Sequence, residues 1–395
     1  MSATLSYLDL AWEIGPQLVA DRRYLHENPE LGMTEVNTAR FVAERLRQLG
    51  IETRTGIATT GVLGVLRGAQ PGRVVLLRAD MDALPIDELN DVPYRSQTPG
   101  LMHACGHDAH TAILLGVARL LSERRTELHG TVKFAFQPAE ENVGGAEPMI
   151  AAGVMDNPTV DAAFGIHIAQ DLPVGTIGVI HGPMTAACDE AVITIRGVGG
   201  HGARPHRGVD PIVIAGQCIV ALQTLVSREV NPLRQAVITV GSLHAGTASN
   251  VIPETCELQA TIRTFDAATR ELLSRRVPEL IRGIAAAMQG SAEVEYTLGY
   301  PTLVNDRAMT DLVRTVAREL IAPELVLEIE PGMGAEDMAY FLQHAPGCFF
   351  RVGSQNPARG LIHGHHHPRF DIDEDALPVG VAALTAVALR FLSRE

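Results

Sequence analysis

Three short apolar segments of this chain each lead directly into side chains that commonly bind metal ions. These side chains are Asp80 and Asp82 after residues 73–79, Glu140 and Glu141 after residues 131–137, and His167 after residues 161–166. A further segment, MHACGHDAH at 102–110, adds one thiol and three imidazoles. Because parallel strands bring their carboxyl ends to one edge of an open α/β sheet, we expect these groups to converge there. Thiol, imidazole and carboxylate together indicate a zinc-like or manganese-like centre, and therefore an enzyme.

The candidate ligands outnumber those of a single structural metal. They are Cys105, His107, Glu141, His167 and one histidine of the tract that contains His363, His365, His366 and His367. Five ligands exceed the four of a closed zinc site and suit two metal ions with open positions. Glu140 then remains beside the ions as a general base, which is what hydrolysis of an amide by activated water requires.

Taken singly, these signals have simpler interpretations. The Cys-x-His pair is compatible with a helix-capping loop that contains a buried thiol. The adjacent glutamates are compatible with a solvated loop, and the histidine after a strand is compatible with a hydrogen-bonded residue of the core. A chemical alternative makes Cys105 a nucleophile with His107 or His110 as its base. That alternative leaves the glutamates, His167 and the histidine tract without a role.

Length, charge and cysteine content limit the classes to which this protein can belong. A length of 395 residues fits two domains better than one. The net charge of −14 argues against a nucleic-acid partner and requires a local cationic group to attract any anionic substrate. We expect no membrane partner, because apolar stretches are broken before ~20 residues, and no signal peptide. Five irregularly spaced cysteines form no disulfide framework, which favours the cytoplasm.

The predicted fold is α/β, with a discontinuous catalytic domain over 1–185 and 299–395. Helical periodicity over 5–27, 35–49 and 109–124 alternates with apolar strands up to His167, which predicts a largely parallel sheet with covering helices. Residues 186–298 show the order β-α-β-β-α-β, with strands near 190–198, 235–244, 255–265 and 292–298 and helices near 209–228 and 267–288. This order predicts an inserted ferredoxin-like domain. Helices over 306–320 and 375–392 complete the catalytic domain.

Motifs along the whole chain resemble the M20 metallopeptidase clan, and more narrowly its amidohydrolase branch of hippurate hydrolases, aminoacylases and auxin-conjugate hydrolases. The motifs are RRYLHENPELGMTE, LRADMDALPIDE, MHACGHDAHTA, FAFQPAEEN, GVGGHGARPH, TASNVIPE, GAEDMAYF and HHPRFDIDE. The resemblance implies two divalent ions (Mn²⁺, Zn²⁺ or Ni²⁺) bound by Cys105, His107, Glu141, His167 and His366, with Glu140 as general base. His366 takes the ligand position because HHPRF fits the pattern in which the ligand precedes one residue and a proline; His367 departs from the usual small residue.

The resemblance also implies roles for residues outside the ligand set. Relatives in the wider clan carry His-x-Asp where this chain has Asp80-Met81-Asp82, so Cys105 replaces the missing donor, and Asp82 orients a ligand imidazole. His201, in a glycine-rich loop, is expected to stabilise the oxyanion in the partner subunit's site. Asn250 and Arg263 are expected to hold the substrate carboxylate, for which the planar guanidinium of arginine is suited.

The sequence therefore predicts a cytoplasmic, metal-dependent amidohydrolase that cleaves small N-acyl or N-aroyl amino acids to a carboxylic acid and a free amino acid. A two-fold homodimer, or a tetramer built from such dimers, is the expected assembly. Two alternatives stay open. One is a dipeptidase or aminopeptidase of the same clan, and the other is a catalytically silent metal-dependent binding protein.

Overall fold

The computed structural model describes residues 6–142 and 144–393 and divides the chain into two compact units. The first is built from the described parts of Met1–Gly182, Val304–Glu330 and Asp337–Glu395, and the second from Pro183–Leu303 and Pro331–Glu336. The second unit contains the predicted insertion of 186–298 and extends past it at both ends. It also takes in the segment Pro331–Glu336, because Gly332 N–H donates to the Met184 carbonyl (2.9 Å).

The described helices and strands follow the predicted order. The helices are α1 (Tyr7–Glu13), α2 (Gly15–Glu27), α3 (Val36–Gln48), α4 (His107–Glu123), α5 (Ala146–Ala151), α6 (Pro211–Thr224), α7 (Ala267–Ala287), α8 (Arg307–Leu320), α9 (Met338–His344) and α10 (Ala376–Leu392). The strands are β1 (Glu52–Ile57), β2 (Gly61–Arg67), β3 (Gln70–Asp80), β4 (His129–Gln137), β5 (Ala162–Pro173), β6 (Ile177–Val179), β7 (Gly182–Thr185), β8 (Ala187–Arg196), β9 (Gly200–His201), β10 (Ala236–Ala245), β11 (Val251–Ile252), β12 (Thr255–Thr264), β13 (Ser291–Thr297), β14 (Leu303–Asn305), β15 (Val326–Glu328) and β16 (Gly347–Gln355).

Several helix boundaries differ by a few residues from the prediction, and the largest difference is at the N-terminus. The single helix expected over 5–27 is two helices, separated at Ile14. Proline follows at the start of α2, where its missing N–H and fixed φ are tolerated, but it cannot continue the hydrogen bonding of α1.

The first unit has an eight-stranded sheet in the order β1-β2-β4-β3-β5-β16-β6-β15. Its central strands β4, β3, β5 and β16 are parallel, and antiparallel pairing is found towards the edges, between β1 and β2, β2 and β4, and β16 and β6. The inner parts of these strands are buried, and side chains of α4 and α10 complete the core. The predicted α/β class with a largely parallel sheet is confirmed.

The second unit is a ferredoxin-like domain. Its antiparallel sheet has the order β10-β12-β8-β13, with α6 following β8 and α7 following β12. Alternate residues of β12 are buried in a core shared with α6 and α7. The helical segment Pro211–Glu229 is apolar and long enough to span a membrane by length and composition, with mean hydropathy 1.4, so the expectation that no segment reaches this length is wrong. Core helices of globular domains pass the same test, and Ile214 and Leu222 of this segment are core residues.

A buried polar cluster joins α2 to the first turn of α4. Arg22 Nε donates to Asp108 Oδ2 (2.8 Å) and Arg22 Nη2 to Asp371 Oδ1 (2.8 Å). His26 lies between two carboxylates, with Nδ1 2.8 Å from Asp108 and Nε2 3.2 Å from Glu88. Burial and Arg22 oppose a charged imidazole, but the carboxylates outweigh them and raise the pKa of His26 to about 9. Both ring nitrogens therefore donate, and the imidazolium is part of the fold.

We expect His26 to make the free energy of unfolding depend on pH. Because its folded pKa of about 9 lies above the ordinary 6.5, its stabilisation is complete below about pH 6.5 and is lost as the pH rises through about 9. The effect is at most about 3 kcal/mol. Urea unfolding from pH 6 to 10 should give a flatter profile for His26→Gln than for the parent. His206→Gln, at an exposed position, is the matched control; equal slopes for parent and His26→Gln would contradict the assignment.

Candidate metal centre

Parallel pairing brings the predicted site residues to one edge of the first unit's sheet. Asp80 lies opposite Gln137 in the β3–β4 register, so both strands end at the same level. The backbone N–H of Glu141 then donates to Asp82 Oδ2 (3.0 Å), which joins the loops after the two strands. His167 was expected to end its strand, but β5 continues to Pro173 because β16 pairs with it along this length.

The turn before α4 places the thiol beside the imidazoles. Gly106 has φ 90°, a left-handed conformation that glycine adopts without steric cost, and α4 begins at the next residue, His107. Cys105 Sγ consequently lies 3.6 Å from His167 Nε2. Cys105, His107 and His167 offer ligand atoms within 4.8 Å of one another.

Two carboxylates extend this cluster. Glu141 Oε1 lies 3.8 Å from His107 Nε2 and 3.2 Å from His366 Nε2. Ligand atoms within 4.8 Å of one another also group Cys105 with Glu141 and His366, and His107 with Glu140 and Glu141. The structure thus brings together all five predicted ligands and the predicted base. Cys105, His107 and Glu141 each belong to more than one of these groups.

The hydrogen bonds around the imidazoles determine which nitrogen faces the cluster. His107 Nδ1 donates to the Asp82 carbonyl (2.9 Å), with the Asp82 carboxylate at 3.2 Å, and His167 Nδ1 donates to the Ile168 carbonyl (2.7 Å). Since carbonyl oxygens only accept, each Nδ1 carries a proton, and Nε2 is the ring nitrogen left to face the cluster. A partner that fixes the tautomer of a ligand histidine in this way is typical of metal sites.

The donor set fits a divalent cation. Among the described residues, His107 Nε2 and Glu141 Oε1 are buried atoms without a hydrogen-bond partner. Burying a polar atom costs free energy unless a hydrogen bond or an ion compensates it. Burial, and then the Glu141 carboxylate, raise the pKa of Cys105 to about 12. A cation among these atoms would satisfy both orphaned atoms and favour the thiolate.

Asp80 and His110 offer ligand atoms within 4.8 Å of those of His107, but other protein groups already bind them. His110 Nε2 accepts the Ile168 N–H (2.8 Å) and His110 Nδ1 donates to Asp80 Oδ1 (2.6 Å). Arg78 Nη1 donates to Asp80 Oδ2 (2.6 Å). Burial opposes the charge of Asp80, but His107, Arg78 and His110 hold its pKa well below the usual range. The accepting ring nitrogen of His110, Nε2, is therefore already used by the protein.

The histidine tract contributes one residue to the cluster. The backbone N–H of His366, at φ 63°, donates to the Ala104 carbonyl (2.8 Å), which brings its ring to Glu141. His365 packs edge-on against His167, with ring centroids 5.1 Å apart. His367 instead stacks on His363 at 4.3 Å and accepts the Arg369 N–H through Nδ1.

The predicted substrate residues lie in the second unit. His201 is exposed on β9 and pairs with Val251 of β11, and the Gly202 N–H donates to the Asn250 carbonyl (2.8 Å). His201 and Asn250 are therefore close neighbours. Arg263 lies on β12, on the face of the sheet opposite the helices, and is partly exposed.

Sequence reasoning missed a set of buried partners around the cluster. Arg78, Gln137 and Asp337 form one hydrogen-bonded group, and each is at most 1% exposed. A usable signal was Arg78, a charged residue inside an otherwise apolar strand, because a fully buried arginine requires anionic partners. Asp337 lies in GAEDMAYF, a motif to which we had assigned no role.

The chain belongs to the peptidase family M20/M25/M40, whose model matches residues 76–390. It is 44% identical to the N-acetyl-L-cysteine deacetylase of Bacillus subtilis over 91% of this chain and 85% of that protein. It is 41% identical to the thermostable carboxypeptidase 2 of Saccharolobus solfataricus over 97% of both chains. A crystal structure of a Bacillus subtilis dinuclear metal binding peptidase of the M20 family is 37% identical, with TM-score 0.84 over 96% of this chain and 99% of that one. Fold, donor set and relatives together identify a metal-dependent amidohydrolase.

We expect Glu141→Gln to lose bound metal, because Glu141 Oε1 is a buried anionic atom facing His107 and His366. The parent, reconstituted and then dialysed, should retain about two ions per chain and the variant fewer, measured by mass spectrometry of the metal. Glu147→Gln, on an exposed acid at the start of α5, is the matched control. Equal metal content in Glu141→Gln and the parent would rule out Glu141 as a ligand.

Proposed function

We propose that the protein hydrolyses N-acyl or N-aroyl amino acids to a carboxylic acid and a free amino acid. The observation that carries this proposal is the placement of Glu140, 7% exposed, within 4.8 Å of ligand atoms of His107 and Glu141. A carboxylate held beside a metal site is suited to move protons to and from water. Relatives support the substrate class, since one is named as a deacetylase of an N-acetylated amino acid.

In the proposed mechanism, Cys105, His107, Glu141, His167 and His366 hold two divalent ions, with Mn²⁺, Zn²⁺ and Ni²⁺ as candidates. When bound, such ions lower the pKa of water and polarise a carbonyl. Glu140 takes the proton of the attacking water as the C–O bond forms. It then gives this proton to the amide nitrogen as the C–N bond breaks, so that the amine leaves neutral. Asp82 keeps the His107 ring oriented through Nδ1.

The second unit is proposed to bind the other end of the substrate. Arg263 and Asn250 hold the α-carboxylate, and His201 stabilises the oxyanion from the partner subunit of a homodimer. A local arginine meets the need for attraction in a chain of net charge −14. We place the enzyme in the cytoplasm, which accords with its five free cysteines.

A second candidate is peptidase activity, favoured by the relative named as a carboxypeptidase. Such a substrate also presents a free carboxylate, which Arg263 could bind equally well. A dipeptidase or aminopeptidase would further need an acidic partner for the free amine of its substrate.

The substrate class can be tested with acetyl-, benzoyl- and indoleacetyl-amino acids and with Gly-Gly, after reconstitution with Mn²⁺ or Zn²⁺. We expect the acylated amino acids to show the higher kcat/KM. Glu140→Gln should keep its metal and lose about 10²–10⁴-fold in turnover. A higher kcat/KM for Gly-Gly would favour the peptidase, and Glu140→Gln within about tenfold of the parent would exclude its role as base.

The carboxylate anchor can be tested by Arg263→Ala. Loss of a charge-assisted hydrogen bond should lower kcat/KM for N-acyl amino acids by about ten- to a hundredfold, with a much smaller loss for the corresponding amides, which lack the charge. Arg196→Ala, an exposed arginine on the neighbouring strand β8, is the control. Equal losses for acids and amides in Arg263→Ala would refute the anchoring role.

A further inference from the structure

One buried carboxylate closes the loop between β4 and α5, which carries the two glutamates of the site. Asp337 is fully buried and accepts the backbone N–H groups of Gly145 (3.0 Å) and Ala146 (3.1 Å). The side-chain amide nitrogen of Gln137 lies 2.8 Å from each oxygen of the same carboxylate. Because Gln137 ends β4 and Ala146 begins α5, Asp337 holds the two ends of the loop together.

The neck of this loop, where Pro138 and Ala139 face Gly144 and Gly145, has no room for a side chain at Gly145. A Cβ on Gly145 would lie 1.9 Å from the Pro138 carbonyl oxygen. The Gly144 N–H donates to the Ala139 carbonyl (3.0 Å), which closes the neck from inside. Movement of the neck would consequently move the adjacent Glu140, whereas Glu141 is held separately by the bond from its N–H to Asp82 Oδ2 (3.0 Å).

Two further carboxylates hold the residues on either side of Glu140. Glu35 Oε1 accepts the Ala139 N–H (2.9 Å), and Asp82 Oδ2 accepts the Glu141 N–H (3.0 Å). Ala139 has φ 53°, a conformation that is unfavourable for alanine and persists only where its surroundings impose it. The loop is therefore held in place by external acceptors.

Arg78 connects the neck of the loop to the imidazole side of the cluster. Its Nη2 donates to Asp337 Oδ1 (2.8 Å), its Nη1 to Asp80 Oδ2 (2.6 Å) and its Nε to Gln137 Oε1 (2.8 Å). Asp80 in turn binds His110. Removing one partner of such a buried charge leaves the other uncompensated, so these groups keep one arrangement.

We propose that Asp337 is a positioning residue for Glu140, setting the place of the general base relative to the metal donors through the neck of the loop. The proposal rests on the function proposed above, in which Glu140 transfers the proton. Asp337 acts on kcat rather than on substrate affinity, because the groups it binds are parts of the loop and of the buried Arg78. A displacement of about 1 Å in such a group costs roughly a hundredfold in rate.

The direct test is Asp337→Asn, which keeps the size of the side chain but turns an amide donor towards groups that themselves donate. We expect kcat to fall by about a hundredfold, with KM and metal content close to those of the parent. Asp373→Asn is the matched control. Asp373 is also buried, at 2% exposed, and accepts from an arginine, Arg359 (2.9 Å), and a backbone N–H, that of Asp375 (3.1 Å). A folded Asp337→Asn protein within about threefold of the parent kcat would overturn the proposal.

A double variant separates positioning from a general loss of structure. If Asp337 acts only through Glu140, Asp337→Asn should cause no further loss of turnover in the Glu140→Gln background. An additional loss there would show that Asp337 acts by another route and would overturn the proposal. Full activity of Glu140→Gln by itself would instead overturn the proposed function.

A milder variant covers the case in which Asp337→Asn does not fold. Gln137→Leu removes the side-chain amide from Asp337 and the acceptor of Arg78 Nε, while leaving the backbone bonds from Gly145 and Ala146 to Asp337. We expect about a tenfold loss of kcat, unchanged metal content and the same absence of further loss in the Glu140→Gln background. Parent-like kcat in folded Gln137→Leu would contradict the proposal.

Discussion

The rest of this structure depends on one constraint. Several nitrogen, oxygen and sulfur atoms must be buried around one point while keeping the lone pairs that bind a cation. Carboxylates repel each other, and an imidazole without a partner rotates or takes up a proton. The protein meets this constraint with hydrogen bonds to those atoms of the ligand residues that do not face the cluster. Asp82 accepts a hydrogen bond from His107 Nδ1, the Ile168 carbonyl accepts one from His167 Nδ1, and Asp82 also accepts the Glu141 N–H. The Nε2 atoms of both rings are then directed to the cluster.

The parallel sheet supplies the framework for this arrangement. Strands β3, β4 and β5 lie side by side, so the loops after β3 and β4 emerge at one edge, beside the donor carried by β5. Behind that edge a fully buried cation, Arg78, is paired with Asp80 and Asp337. Breaking such a buried pair by removing one partner is strongly destabilising, because it leaves a buried charge uncompensated. Arg78 thus joins Gln137, at the end of β4, to Asp337, which accepts the N–H of Ala146 at the start of α5.

The two units divide the proposed work. The first holds the metal donors and the base, and the second, with its own core, presents the exposed His201 and Asn250 and the partly exposed Arg263. This division accords with relatives of one family that are named for different substrates, a deacetylase and a carboxypeptidase.

Much of this protein follows from local sequence. The Cys-x-His spacing before a helix, the glutamate pair after a strand and the β-α-β-β-α-β order are short-range patterns, and the class of fold and the cluster of donors could be predicted from them. Residue spacing alone left the four histidines of the tract equivalent, and only the resemblance of HHPRF to a family pattern pointed to His366. The contact that brings His366 to Glu141, its N–H bonding to the Ala104 carbonyl from a distant part of the chain, was decided by tertiary structure. It also decided the partner of Gln137, which is Asp337, 200 residues away. Such contacts depend on how packed elements meet in space, and residue spacing along the chain carries no record of that.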